Sequence, residues 1–563
     1  MHISDCRWTR LGTVFALVFT VVAIDAQRID DRNILNAMEA ELERSMSELA
    51  EQPDPPFYIS YEINDNYRAA VNTTFGRVTR SSESGGTYYD IDLRVGQSEM
   101  DNTHLTDRRR FPQVSLGSLA SQEGIRNNFW LLTDRTFKQA SEELVNVRTR
   151  SEIRIDTEGP AFDLAPSVKV SHSELEIPIQ FSRTEWEKRL QRISNVFNGH
   201  PKLLSGNAQG SVLKNVRFFV NSEGSRIQSD ELTYTIVLSA TTKAEDGSNL
   251  NLSKLFHARK PSGLPSDREL TRTADEIVTT LINLRNAPNI EPYTGPAILS
   301  GRAAGVLFHE ILGHRLEGHR LKQTNDAQTF KDKINQRVLP ESMSVVFDPS
   351  MKKFGDTDLL GTYQYDSEGV AGQKVRVIEN GILKRFLLGR STLADEGFRE
   401  SNGHGRKAVG LKSVARQSNL LVEVEDPYTP AELQEQMIAI LKERNLEYGL
   451  YFDDIVGGFT ITTRSLPNSF TVRPVIVYKI YQDGSRELVR GVDLIGTPLA
   501  VFDSVIAAAD DAAVFNGQCG AESGNVPVSA ISPSILVGQI EVQRASQSRA
   551  ILPILPPPGS AGS

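Results

Sequence analysis

Three histidines and two glutamates lie within the thirteen residues of the segment LFHEILGHRLEGH (307–319). His309 and Glu310 match the start of the motif H-E-x-x-H, in which two histidines on one helix face bind zinc and the glutamate is a general base. The second histidine, His314, stands one residue later than that motif requires. The residue types therefore indicate metal-dependent hydrolysis, and the spacing raises the question of how both imidazoles reach one ion.

The segment is predicted to be helical, which makes the spacing a geometric problem. Ser300 is a favourable N-cap, and good helix formers with apolar residues at helical spacing follow it. Helix positions four apart lie about 40° apart, whereas positions five apart lie about 140° apart. His309 and His314 therefore share an ion only if the helix bulges or ends between them, and Gly313 is where the backbone deforms most cheaply. His314 and His319 have the same spacing, and a structural helix without any metal remains an alternative.

The chemistry of such a site points to zinc. Imidazoles and a thiolate suit this metal, and a catalytic zinc has three protein ligands and one water. Glu310 adjoins the first histidine, where it would act as general base on the zinc-bound water. The chain has two cysteines, Cys6 and Cys519, and removal of the N-terminus would leave Cys519 alone. Cys519 is therefore either a buried, inert thiol or a metal ligand.

Residues 1–26 are predicted to be a secretory signal peptide. Two arginines precede an apolar run, 11–24, that ends among small residues. The run is shorter than the roughly 20 residues that span a bilayer, and an uncleaved membrane anchor is the alternative. No later stretch is apolar enough to cross a membrane. We therefore expect an exported chain, periplasmic or secreted, with no stable membrane span after removal of the signal.

The rest of the chain is predicted to form two α+β domains, since 563 residues exceed one ordinary domain. Helical periodicity and alternating strands predict a helix-and-sheet N-terminal domain over 27–290. Short strands flanked by glycine predict a C-terminal domain over 291–550, dominated by antiparallel sheet and with the histidine helix near its start. The Pro/Gly/Ser-rich tail, 551–563, is predicted to be disordered. A net charge of −9 without a long basic run argues against a nucleic-acid partner.

Several segments together resemble the TldD/PmbA family of metallopeptidases. The stretch HEILGHRLE (309–317) matches the TldD-type pattern H-E-x-x-G-H-x-x-E. The segment SNGHGR (401–406) resembles the family's glycine-rich segment, and CGAESGNVPV (519–528) resembles its closing cysteine motif. The resemblance extends over nearly all of residues 32–547, and the chain departs from the family in its exported, longer N-terminus.

This resemblance implies a zinc metallopeptidase with defined residue roles. His309, His314 and Cys519 would be the ligands of one zinc ion per chain, and Glu310 would be the general base. Members of the family assemble as dimers, so the chain is expected to form a homodimer or a heterodimer with a PmbA-like chain. The implied substrates are small or unfolded peptides.

Four further residues are candidates for supporting roles. Glu317 and His319 either orient His314 or lie at a solvated helix end. His404 and Arg406 either hold a substrate carbonyl or lie in a tight glycine turn. Two other functions stay open. One is a non-catalytic PmbA-like scaffold of a hetero-oligomeric peptidase, and the other is a structural zinc protein, for which four ligands are expected.

Overall fold

The computed structural model describes residues 28–104, 115–151, 162–322, 326, 328–395, 397–460, 462 and 470–545. These residues form helices and extensive, mainly antiparallel sheet, so the predicted α+β fold class is confirmed. The predicted signal peptide and the predicted disordered tail lie outside the described residues. No described helix has both the length and the apolar character needed to cross a membrane.

A seven-stranded sheet and four helices form the N-terminal half. The helices are α1 (Asp31–Leu49), α2 (Gln122–Ser151), α3 (Arg183–Ser194) and α4 (Asp267–Asn286). The strands are β1 (Pro56–Thr74), β2 (Arg77–Val95), β3 (Ser115–Gly117), β4 (Ser171–Ser173), β5 (Leu203–Asn221), β6 (Arg226–Lys243) and β7 (Asn249–Ala258). Neighbouring strands follow the order β3-β2-β1-β5-β6-β4, and β7 also pairs with β6.

The two faces of this sheet have different coverings. One face of β1 carries Ile59, Tyr61, Ile63, Ala69 and Val71, which are buried in two hydrophobic clusters that the four helices complete. The opposite face includes Glu62, which contacts Arg217 of β5 at 2.8 Å. Arg217 in turn donates to the carbonyl oxygens of Asp366 and Ser367. Because successive side chains of a strand alternate between faces, the helices cover one face and the C-terminal half contacts the other.

The C-terminal half contains the remaining elements. Its helices are α5 (Gly301–Ile311), α6 (Pro430–Glu443) and α7 (Pro498–Asp503). Its first strands are β8 (Tyr293–Leu299), β9 (Met343–Phe347), β10 (Lys353–Phe354), β11 (Thr357–Asp358), β12 (Val375–Glu379), β13 (Ile382–Leu383), β14 (Gly405–Arg406), β15 (Val414–Ala415) and β16 (Asn419–Val424). Its later strands are β17 (Tyr448–Thr460), β18 (Phe470–Tyr481), β19 (Arg486–Val489), β20 (Val492–Gly496), β21 (Val505–Ala508), β22 (Ala513–Ala521), β23 (Gly524–Ser532) and β24 (Ile535–Arg544).

Two sheets enclose α5. One has the order β13-β12-β9-β16-β23-β22. The other runs β17-β8-β24-β20-β18, and β18 pairs with β17 so that five strands close into a ring. Helix α5 follows β8 directly and packs against β17 from the ring and against β22 and β23 from the other sheet. Ten of its eleven residues are buried. A helix with apolar residues on nearly all sides, as here, is typical of such a buried position.

A buried ionic cluster joins the two halves of the chain. Lys407, from the C-terminal half, pairs with Asp90 and lies 4.0 Å from Glu62. Burial alone would raise the pKa of Glu62, but Arg217 and Lys407 lower it to about 2. Asp90 and Glu62 belong to β2 and β1, so the cluster fixes the segment around Lys407 on the N-terminal sheet.

Lys407→Met is expected to lower the free energy of unfolding by about 3–5 kcal/mol, because Asp90 stays buried without its cation. Lys138→Met is the matched control. Lys138 forms an exposed helical pair with Asp134, and its loss is expected to cost less than about 1 kcal/mol. Denaturant unfolding of both variants measures the difference, and equal losses would show that the cluster does not stabilise the junction.

Candidate metal centre

Helix α5 ends between the two histidines of the motif. Ser300 caps its start by accepting from the backbone N–H of Ala303 at 3.3 Å. The last helical residue is Ile311, and a single 3-10 turn follows over Gly313–Arg315. The sequence left a bulge and a helix end as alternatives, and the structure has the helix end. His314 therefore lies in the turn and not on the helix.

Gln417 occupies the space beside this helix end. Its side-chain amide donates to the carbonyl oxygen of His309 at 3.1 Å. A Cβ atom on Gly313 would lie 1.9 Å from Oε1 of Gln417. A larger residue at position 313 would therefore have to displace the Gln417 amide, whereas the sequence had suggested only easy backbone deformation.

The helix end brings His309 and His314 to Cys519. One donor atom from each residue lies within 4.8 Å of the others, and all three side chains are buried. Nε2 of His314 lies 3.3 Å from Sγ of Cys519. Cys519 belongs to β22, where it pairs with Val526 of β23. The three residues proposed as metal ligands from sequence thus form one compact group.

Charge attraction inside this group offsets the cost of burial. Burial raises the pKa of the Cys519 thiol, but His314 and His309 lower it well below its usual range. Burial lowers the pKa of His314, whereas Cys519 and Glu317 raise it to about 10. Among the described residues, Nδ1 of His309 is buried with no hydrogen-bond partner. A thiolate beside two imidazoles, one of them with an unshared ring nitrogen, is a donor set that fits zinc.

Glu317 lies behind His314. Its carboxylate is fully buried, lies 3.3 Å from Nδ1 of His314 and accepts two hydrogen bonds from Arg320. Burial raises the pKa of Glu317, but His314 and Arg320 lower it to about 2. An ionised Glu317 accepts Nδ1–H of His314 and leaves Nε2 facing Cys519. His319 instead pairs with Glu522 through Nε2.

Partners outside the three-residue group hold the side chains of His404 and Arg406. His404 is fully buried, where Nε2 contacts the hydroxyl of Ser418 at 3.1 Å and burial lowers its pKa to about 3. Arg406 is also buried and donates to the carbonyl oxygen of Gln417 at 2.5 Å. Gly403 has a left-handed backbone with φ of 72°. These protein partners favour the tight-turn alternative over contact with a substrate.

The sequence did not single out one run of residues that contacts this centre. Residues Arg416–Asn419 are polar, yet each has 0% exposure. Arg416 donates to the carbonyl oxygen of Cys519 at 2.7 Å and lies 3.4 Å from Glu317. Gln417 contacts His309, as described above. Their only signal in the sequence is an uninterrupted polar run that ends at the first residue of β16, and such a run is also typical of an exposed loop.

Glu310 follows His309 in α5, and its side chain packs against β17. A Cβ atom on Gly458 would lie 2.6 Å from Cγ of Glu310 and 2.9 Å from its Cδ. Glu310 retains 8% exposure, and Gly458 is itself exposed. The carboxylate therefore lies beside a part of β17 that has no side chain and that faces solvent.

The chain resembles known proteins along most of its length. Residues 292–544 match the PmbA/TldA metallopeptidase C-terminal domain. A metalloprotease from Methanocaldococcus jannaschii is 31% identical over 317 residues, which are 55% of this chain and 64% of that protein, just under two thirds of its length. A protein named zinc metalloprotease TldD homolog, from Saccharolobus solfataricus, is 22% identical over 491 residues, which are 83% of this chain and 99% of that protein.

The fold has a counterpart among solved structures. The crystal structure of TldE from Thermococcus kodakarensis matches with a TM-score of 0.58 and 13% identity, covering 90% of this chain and 100% of that one. At this identity the likeness concerns the fold alone. The C-terminal half thus matches a domain of the PmbA/TldA metallopeptidases, and the similar proteins are named metalloproteases.

Proposed function

We propose that this chain is a zinc-dependent metallopeptidase. The observation that carries the proposal is the buried group formed by His309, His314 and Cys519, whose donor atoms lie within 4.8 Å of one another. Three protein ligands are the number found in catalytic zinc sites, whereas structural sites use four. The names of the relatives, metalloprotease and zinc metalloprotease, support the same activity.

In this proposal the three residues would hold one zinc ion. When bound, zinc polarises the scissile carbonyl and lowers the pKa of water to about 7. The Glu310 carboxylate takes a proton from the attacking water and delivers it to the leaving nitrogen. The C–O bond forms first, and the C–N bond breaks once its nitrogen has received the proton, so the products are a carboxylic acid and an amine. Glu317 holds the Nδ1 proton of His314, which keeps Nε2 directed toward Cys519.

Small or unfolded peptides are the proposed substrates. The ligand residues are 3–6% exposed, so a bond within a folded surface has no direct access to them. An extended chain needs less room, and the exposed backbone at Gly458 lies beside Glu310. We also propose that the chain is exported and acts as a homodimer or with a PmbA-like partner. The N-terminal sequence and the family resemblance support these two points.

The alternative is a non-catalytic PmbA-like partner of a hetero-oligomeric peptidase. Such a scaffold does not need the ligands and the base together, yet this chain keeps His309, Glu310, His314 and Cys519. That observation favours the enzyme. Purified chain that binds zinc but cleaves none of a mixture of unstructured peptides would favour the scaffold instead.

Glu310→Gln is expected to lower peptide cleavage by about 10²–10⁴-fold, because the amide has a similar shape but cannot accept the proton. Zinc content is expected to stay at the wild-type level, since Glu310 is not one of the three ligands. Cleavage is followed by mass spectrometry of a peptide mixture, and Glu435→Gln, exposed on α6, is the control. Cleavage at the wild-type rate by Glu310→Gln would refute this role.

Gly458→Ala is expected to reduce kcat/KM by about 10²-fold. The new methyl group would collide with the Glu310 side chain and move its carboxylate out of position. Gly457→Ala is the matched control, since a Cβ atom there meets no atom within 4 Å. Both substitutions change the strand propensity of β17 alike, so that effect cancels in the comparison. Equal activities of the two variants would contradict the placement of Glu310 against Gly458.

A further inference from the structure

The polar run Arg416–Asn419 contacts the backbone of His309 and of Cys519, and it contacts Glu317, the partner of His314. Arg416 lies between β15 and β16 and is among the largest fully buried side chains of the described residues. A buried guanidinium is expensive unless charge and hydrogen bonds compensate it. The groups that compensate the buried charge of Arg416 are acceptors near Cys519 and the carboxylate of Glu317.

One end of the guanidinium contacts the turn that follows Cys519. Its two terminal nitrogens donate to the carbonyl oxygen of Cys519 at 2.7 Å, to the hydroxyl of Ser523 at 2.8 Å and to the carbonyl oxygen of Gly524 at 3.0 Å. Three acceptors, in the last residues of β22, in the turn and at the start of β23, thus share one donor side chain. These contacts hold the Cys519 backbone, and losing them would leave buried carbonyl oxygens without donors.

The other end of the guanidinium contacts the support of His314. Nε of Arg416 lies 3.4 Å from Oε1 of Glu317, and both side chains have 0% exposure. The Glu317 carboxylate lies 3.3 Å from Nδ1 of His314. A continuous series of contacts therefore runs from His314 through Glu317 and Arg416 to the backbone of Cys519.

The next residue, Gln417, contacts the remaining proposed ligand, His309. Gln417 donates from Nε2 to the carbonyl oxygen of His309 at 3.1 Å. Two adjacent residues thereby contact the backbone of two proposed ligands and the hydrogen-bond partner of the third. The proposed ligands come from a helix end, a 3-10 turn and a strand 205 residues further along the chain.

We propose that Arg416 is a positioning residue that sets the separation of His314 and Cys519 and so the affinity of the site for zinc. This inference rests on the proposed function, because it concerns zinc held by those residues. Lysine cannot substitute, since its single ammonium lacks the planar set of donors that contacts Glu317 and the Cys519 turn together. Partners of metal ligands contribute about 10–100-fold to metal affinity, which is the size of effect expected here.

The test compares Arg416→Lys with Arg390→Lys in the full chain. Arg390 is a matched control, because it is 1% exposed and donates to a backbone carbonyl and a carboxylate, those of Ala165 and Glu223. The readouts are the zinc Kd from competition with a chelator, the cobalt–thiolate absorption at saturating Co²⁺, and the thermal unfolding of the metal-free chains. Only the first two report the arrangement of the ligands.

We expect zinc to bind Arg416→Lys about 10–100-fold more weakly than wild type, with an altered cobalt–thiolate band. Arg390→Lys is expected to keep the wild-type Kd and band although its unfolding temperature falls. Equal zinc affinities of Arg416→Lys and wild type, or equal losses in both variants, would overturn the inference. A wild type that binds no zinc would instead refute the proposed function.

A second variant covers the case in which Arg416→Lys fails to fold. Glu317→Gln keeps the shape of the side chain and removes the charge that links Arg416 to His314. Its zinc Kd is expected to rise about 10-fold or more. An unchanged Kd in Glu317→Gln would show that the series of contacts from His314 to Cys519 does not position the ligands.

Discussion

The proposed metal centre depends on one constraint: helix α5 must end between His309 and His314. The hydrogen bond from Gln417 to the carbonyl oxygen of His309 lies at this helix end. Two histidines five residues apart cannot share an ion on a straight helix, so α5 has to end between them. A helix end leaves carbonyl oxygens without intrahelical partners, and here that end is buried between two sheets. A buried side chain, that of Gln417, supplies the donor here, and a Cβ atom at position 313 would have to displace it.

The polar run that supplies this donor is itself held by the N-terminal half. The backbone N–H of Arg416 donates to the carbonyl oxygen of His404, and Gly405 donates to Asp366. Two residues further on, Lys407 pairs with Asp90 of β2. A series of buried polar contacts thus extends from the N-terminal sheet to the proposed ligands. His404 and Arg406 belong to this series of contacts, which explains their burial without any role in substrate binding.

The sequence predicted the features that follow from local periodicity and residue type. The α+β class, the Ser300 cap and the helix that starts there all depend on local propensity, and the structure contains them. The need for a helix end or a bulge after His309 followed from angular spacing alone. The choice between them did not, because it depends on Gln417, which lies more than 100 residues away in the chain.

The polar residues that support the centre were beyond sequence reasoning for a similar physical reason. Arg416 and Gln417 have the composition of an exposed loop, and their burial depends on acceptors at the end of α5 and in the turn after β22. Pairing across such distances leaves no periodic pattern. Cys519 was identified only through the family resemblance, since its own neighbourhood in the sequence was equally consistent with an inert thiol.

The most direct test of the central claim is X-ray absorption at the zinc edge on the purified chain. One zinc per chain is predicted, with a sulfur neighbour at about 2.3 Å and nitrogen neighbours at about 2.0–2.1 Å. The sulfur contribution is predicted to disappear in Cys519→Ser. A shell of nitrogen and oxygen alone in the wild type, or a sulfur contribution that persists in Cys519→Ser, would contradict a site built from His309, His314 and Cys519.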